Sequence, residues 1–407
     1  MGCCSHTIQI ERISMRNRGI SFILVVCLLF GLFWCDTGFA SEGQNLTLAL
    51  RLVLAKAQKA IDKKCYQDAE KIITDYLSGR SNKPHYLAYY ILGNAYYLDK
   101  KIKRAYHAYY RAYKLNPSYR PACVNLAKVS YDLKKYKEAG NLFVHAFEIS
   151  KKPDPDFLYE AGVAYYQGKH YRRAKAVLQR LMREAKPIKV SWLKLFVFTC
   201  LELKDWNSAE RCLLSLLSRT SINATYWKLL AQVRLQKGDY KGAASALEIA
   251  YRLKPPPARR WKELADIYLY IGVPLKAARC LERTYGVNPS PKQLDEIARA
   301  YAMAHRAKDA VNYYLKAIEK EPTASRYLEI AKLYYRNGMW KKAVAALERS
   351  VKLNPRNGLT HLLLGYCAWQ LDNKKLAVRE FNAASKHKRY REQAQMALNI
   401  IKETEDQ

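Results

Sequence analysis

The side chains that could do chemistry are present in this chain, but not in catalytic arrangements. Its eight histidines are isolated, with no H-x-x-x-H pair to set two imidazoles on one helix face for a metal. Beyond residue 40 the cysteines are Cys65, Cys123, Cys200, Cys212, Cys280 and Cys367, and none forms a C-x-x-C. Zinc or thioredoxin-type chemistry needs such clustering, so buried apolar cysteine is expected, with Cys200 and Cys212 a candidate disulfide across a helical hairpin. Gly162 through Lys169 approaches a phosphate-binding loop, but five residues separate Gly162 from Gly168, and His170 stands where Ser or Thr belongs. G-x-S-x-G and G-x-G-x-x-G are absent. The sequence therefore reads as no enzyme, with no cofactor and no metal, and what remains is binding.

The elements that position any binding residues repeat. The chain is 50% apolar and 26% charged with only 17 glycines, too few turns for a strand-rich fold. In "ILGNAYYLDKKIKRAYHAYYRAYKLNP", residues 91–117, placing Gly93 at position 8 of a 34-residue frame puts Tyr89, Leu92, Tyr96, Ala105, Tyr109, Ala112 and Pro117 at positions 4, 7, 11, 20, 24, 27 and 32. The frame recurs from residues 50, 86, 120, 155, 190, 224, 258, 291, 324 and 358. Position 20 is alanine in all ten: Ala69, Ala105, Ala139, Ala174, Ala209, Ala243, Ala277, Ala310, Ala343 and Ala377. These residues resemble the tetratricopeptide repeat (TPR) family. The resemblance implies an all-α, right-handed superhelical solenoid of about ten helix-turn-helix repeats over 50–391, with a C-terminal capping helix and polar tail over 392–407. Small residues at 8, 20 and 27 would let helices A and B of each repeat approach, and neighbouring repeats must stack because one alone cannot bury its apolar face. Met396, Ala397, Ile400 and Ile401 give the capping helix its apolar stripe.

The first 40 residues read as a cleaved signal peptide. Arg12, Arg16 and Arg18 precede an apolar run from Ile20 to Trp34, and Gly38-Phe39-Ala40 offers small residues for cleavage after Ala40. Residues 41–49 read as a flexible lead-in. The alternatives are an uncleaved membrane anchor and a true start at Met15. With a leader, the expected location is outside the cytoplasm, as in a bacterial periplasm.

A formal charge of +34 makes an anionic partner the electrostatic default. In the TPR family the concave surface is lined by positions 2, 5, 9 and 12 of helix A. Here those positions hold Tyr90, Asn94, Tyr97, Lys128, Tyr131, Tyr159 and Tyr166 in the second to fourth repeats, a surface able to bury peptide and hydrogen-bond its backbone. Chaperone-binding members clamp a terminal carboxylate; Asn94 and Asn125 match that clamp, but Tyr90, Asp156 and Glu160 occupy its cationic places, which disfavours the role. The charge lies elsewhere. Positions 15–19, the turn between helices A and B and the start of B, hold 20 basic and six acidic residues in 50 places. Lys100, Lys101, Lys103, Arg104, Lys134, Lys135, Lys137, Lys169, Arg172 and Arg173 form the densest part and predict a basic rim. The expected function is an exported scaffold binding an extended protein segment in its groove, in an envelope complex such as the TonB-type systems that the C-terminal run resembles. Its rim would meet an anionic membrane surface or an acidic partner. The alternative is an accessory of exopolysaccharide or lipopolysaccharide export that contacts an anionic glycan. Nucleic acid is disfavoured by the leader.

Overall fold

A computed structural model describes residues 46–79 and 84–403. Among these residues there are 21 α-helices and no strand, and consecutive helices pack as antiparallel pairs. The leader at 1–40 and the tail at 404–407 lie outside the described residues. The chain divides into two compact units, one ending at Pro153 and the other beginning at Asp154.

The first unit holds three pairs: α1 (Leu48–Asp62) with α2 (Tyr66–Ser78), α3 (Tyr86–Leu98) with α4 (Ile102–Leu115), and α5 (Arg120–Asp132) with α6 (Tyr136–Glu148). The second holds seven: α7 (Pro155–Gln167) with α8 (Tyr171–Glu184), α9 (Val190–Glu202) with α10 (Trp206–Leu217), α11 (Ala224–Gln236) with α12 (Tyr240–Leu253), α13 (Ala258–Tyr270) with α14 (Pro274–Tyr285), α15 (Pro291–Met303) with α16 (Ala307–Lys320), α17 (Ala324–Arg336) with α18 (Trp340–Leu353), and α19 (Gly358–Gln370) with α20 (Lys374–Ser385). The last helix, α21 (Arg391–Glu403), covers α20.

Packing explains the alanine column. All ten alanines are completely buried, at the crossing of the two helices of their pair. Where position 8 is glycine, space requires it: a Cβ on Gly93 would sit 2.5 Å from the Tyr109 ring, and one on Gly365 would sit 2.7 Å from that of Phe381. In these two pairs the ring at position 24 fills the space a Cβ would take, as close packing demands; Phe143 and Tyr314 are accommodated opposite Ala127 and Ala298.

The turn between the helices of a pair is one motif used ten times. Each A helix ends on a residue at positive φ, followed by a residue whose N–H reaches back five places, as in Lys101 N–H to Tyr96 O at 2.8 Å and Lys135 N–H to Ser130 O at 2.8 Å. This Schellman closure satisfies the last carbonyls of helix A and needs the left-handed region at its hinge. The hinge residues are Lys64, Lys100, Lys134, Lys169, Lys204, Gly238, Gly272, His305, Gly338 and Asp372, all with φ between 54° and 77°.

Three expectations are corrected. α1 starts at Leu48, with the Thr47 side chain capping Leu50 N–H at 3.3 Å, so the end of the supposed lead-in is helical. In α21, Ala397 and Ile401 are buried, but Met396 is 65% exposed and Ile400 is exposed too. Cys200 and Cys212 are both free thiols; Cys212 instead donates to the Leu193 carbonyl at 3.5 Å.

Candidate functional site

The groove residues of the first unit sit on α3 and α5. Asn94 and Asn125 are brought together: Asn94 Oδ1 accepts from Tyr109 Oη at 2.8 Å and from Asn125 Nδ2 at 3.2 Å. Tyr109 is fixed in the core against Gly93, so the asparagine pair is anchored from below. Among the described residues, Asn94 Nδ2 and Asn125 Oδ1 have no protein partner, leaving one donor and one acceptor on half-buried side chains. Lys128, one turn further along α5, is half-buried and forms no ion pair among the described residues. Tyr97 reaches across to Asp132 on α5, Oη to Oδ2 at 3.5 Å, and burial raises the pKa of both groups.

The other tyrosines have structural work. Tyr90 packs edge-on against Tyr119, with ring centroids 5.3 Å apart, and stands 6.1 Å from Tyr109. Tyr131 meets Tyr136 at 5.2 Å, and in the second unit Tyr166 meets Tyr171 at 5.5 Å, joining the end of an A helix to the start of its B helix. Tyr335 and Trp340 repeat that contact at 5.2 Å. Burial pushes the Tyr166 phenol up to about 12. Tyr159 is half-buried on α7 and makes contacts of its own. Of the expected groove set, Asn94, Tyr97 and Lys128, joined by Asn125, present the groups best placed for a ligand.

The basic rim divides into paired and unpaired cations. Lys101 is bound to Glu70 at 2.8 Å and Asp99 at 2.9 Å, and Arg104 to Glu70 at 3.3 Å. Glu70 also accepts from Tyr96 Oη at 3.2 Å. Lys135 Nζ lies 3.6 Å over the Tyr106 ring and 3.9 Å from Glu138. By contrast Lys100, Lys103, Lys134 and Lys137 are exposed and have no partner among the described residues. Lys63 and Lys64, outside the expected set, share that state on the first turn. In the second unit Lys169, Arg172 and Arg173 line an open depression of about 380 Å³ with His170, Tyr171 and Leu203.

The buried thiols are held in their protonated form. Burial pushes the Cys123, Cys200 and Cys212 thiols up to about 12, and Cys280 and Cys367 to about 11, so all stay protonated and weakly nucleophilic near neutrality. Among the described residues no three His, Cys, Asp or Glu side chains are grouped to hold a metal ion. His361 is buried between the Glu380 carboxylate, 2.6 Å from Nδ1, and the Pro355 carbonyl, 2.9 Å from Nε2, as a brace in the final pair. No helix among the described residues is long and apolar enough to cross a membrane.

Helix pairs with a buried alanine at every crossing and a left-handed hinge at every turn define a helical-hairpin repeat protein. Family models agree: two tetratricopeptide repeat models match residues 201–256 with 328–391 and residues 156–185, and the model described as anaphase-promoting complex, cyclosome, subunit 3 matches residues 62–146. The chain belongs to the tetratricopeptide repeat family, whose fold is a scaffold suited to protein–protein interaction and typically non-catalytic. No curated protein sequence matches it. Among solved structures it is similar to MamA, with 21% identity over 39% of this chain and 93% of that one and a TM-score of 0.32. A tetratricopeptide repeat protein from Parabacteroides merdae gives 17% identity over 63% and 99%, TM-score 0.35, and yeast Tom70 gives 14% over 88% and 95%, TM-score 0.31. Likeness at this level assigns no partner.

Proposed function

We propose that this protein is a non-catalytic scaffold that holds an extended segment of a protein partner across the α3 and α5 face of its first unit. The observation that carries this is the asparagine pair. Asn94 Nδ2 and Asn125 Oδ1 offer a donor beside an acceptor, which is what a peptide group needs, and Tyr109 holds them in place from the core. Tyr97 adds an amphipathic ring from α3 and Lys128 a cation from α5, so the segment is bound by its backbone with a preference for an acidic side chain nearby.

Export through the leader belongs to the same proposal, and mass spectrometry of the purified protein checks it by finding residue 41 as the mature N-terminus. Membership of an envelope complex, including one of TonB type, follows only with that location. The glycan-export reading draws its support from the unpaired cations of the turns rather than from the α3 and α5 face. It expects binding that weakens steeply with salt and survives loss of the asparagines.

The test is quantitative affinity capture by the full chain and by Asn94→Ala and Asn125→Ala, each checked by circular dichroism. Loss of one captured protein by at least tenfold in both variants supports the proposal. An unchanged set of captured proteins from two folded variants overturns it.

A further inference from the structure

We infer that the A–B turns of the first unit form a second docking edge, specific for an acidic polypeptide segment and centred on Lys64, Lys100 and Lys134. This rests on the protein-scaffold reading and adds the charge of the partner and where it lies.

The three turns are neighbours. Lys101 and Arg104 of the second turn reach Glu70 on α2, and Lys135 of the third turn covers Tyr106 on α4, whose hydroxyl donates to Glu138 on α6 at 2.8 Å. Each contact joins one turn to the start of the preceding B helix, so the hinges follow one another along one edge of the unit. On that edge Lys101 engages Glu70 and Asp99, Arg104 engages Glu70 and Lys135 lies near Glu138, while Asp68 is exposed; Lys63, Lys64, Lys100, Lys103, Lys134 and Lys137 are exposed and without partner among the described residues, so free cations outnumber free carboxylates there.

The hinge makes the choice of residue informative. Glycine reaches positive φ without steric cost, and the later turns use it at Gly238, Gly272 and Gly338. Lysine at 58–63° carries a Cβ into the disfavoured region in all three turns of the first unit. Folding alone favours glycine there, so the ammonium group has another use. Like charges in register also repel one another, which a bound anion offsets.

The chemistry favours carboxylates on a polypeptide. Lysine is a compact point charge that meets carboxylate and phosphate alike, so the choice of carboxylate rests on what this edge already binds. This edge already shows the recognition in miniature, where Glu70 bridges Lys101 and Arg104 and Asp99 also holds Lys101.

The full chain is titrated with a short poly-L-glutamate. Lys64→Gly, Lys100→Gly and Lys134→Gly together should weaken binding about tenfold, the sum of three exposed pairs. The control Lys56→Gln, Lys59→Gln and Lys71→Gln removes the same charge from exposed helix positions and should change affinity less than about twofold. The glycine variant should unfold at an equal or higher denaturant midpoint, which separates lost binding from lost folding. Asn125→Ala separates the two sites: poly-L-glutamate binding that falls with Asn125→Ala but not with the glycine variant belongs to the α3 and α5 face and overturns this edge, whereas binding lost only in the glycine variant leaves the asparagine site to be judged by its own capture test. Equal losses in the two triple variants would overturn the inference. So would lysine-dependent binding confined to phosphatidylserine vesicles or to a sulfated polysaccharide, which would give the edge to a lipid or a glycan.

Discussion

The first five turns and the last five share one backbone and differ in side chain. All ten hinges lie at φ between 54° and 77°, and the same N–H reaches back to the same carbonyl in each. Yet Lys64, Lys100, Lys134, Lys169 and Lys204 give way to Gly238, Gly272, His305, Gly338 and Asp372. A left-handed hinge costs a residue with a Cβ roughly 1–2 kcal/mol. Glycine at three of the late turns meets the backbone's need without that cost, whereas His305 and Asp372 bear it as the early lysines do. The side chain and the backbone at this position therefore answer to different demands, and lysine is the one side chain that recurs, at five turns in succession.

The largest expected effect tests whether the hinge glycines differ in kind from glycines needed for space. Gly93→Val drives a branched side chain into the Tyr109 ring and should destabilise the first unit by about 3 kcal/mol, read as a lower urea midpoint. A Cβ on Gly338 meets nothing within 4 Å, so the loss of about 2 kcal/mol expected for Gly338→Val would come from φ. If Gly338→Val is neutral, the hinge imposes no demand and the comparison collapses. Exchanging the two kinds of turn should give smaller effects of opposite sign: Lys100→Gly gains about 1 kcal/mol, and Gly338→Lys loses about the same.

The smallest effect concerns cations that are paired. Lys175 binds Asp205 at 2.5 Å and, with hydrogen bonds from Ser208, holds its carboxyl down at about 2. A carboxyl whose pKa falls on folding adds stability above its unfolded value, near 3.8, and that stability is lost as pH falls toward 2. After solvent screening the contribution is on the order of 1 kcal/mol. Lys175→Met should therefore lower the denaturant midpoint at pH 7 and match the unsubstituted protein near pH 2, whereas Lys134→Met, at an unpaired lysine, should show no such convergence.

Fold and site were unequally legible in the sequence. An alanine every 33 to 36 residues announces a helix crossing because nothing larger fits there, and the structure buries every one. Tyrosine carries no such single meaning. Tyr131 and Tyr166 sit at groove positions, but each packs on an aromatic five residues later, Tyr136 and Tyr171, and that spacing was visible in the sequence. Tyr90 was harder to read, since its partner Tyr119 lies in the link before the next pair. The pairing of Asn94 with Asn125 depends on the Tyr109 hydroxyl between repeats, which no local pattern displays. The hinge strain was legible in part: Gly238, Gly272 and Gly338 share a frame position with the lysines, and glycine at a turn signals positive φ. Which rim lysines would be paired was not, because Glu70 and Lys101 come together only when neighbouring pairs pack.

The central claim is that the α3 and α5 face of the first unit holds a protein segment. Its most direct test is photo-crosslinking in cells from a reactive residue at position 128, with the attached species mapped by mass spectrometry. The account predicts one protein, joined through a contiguous stretch of its chain, whose yield falls when Asn125 becomes alanine. Crosslinking that yields only glycan or lipid, or a protein adduct indifferent to Asn125→Ala, would contradict it.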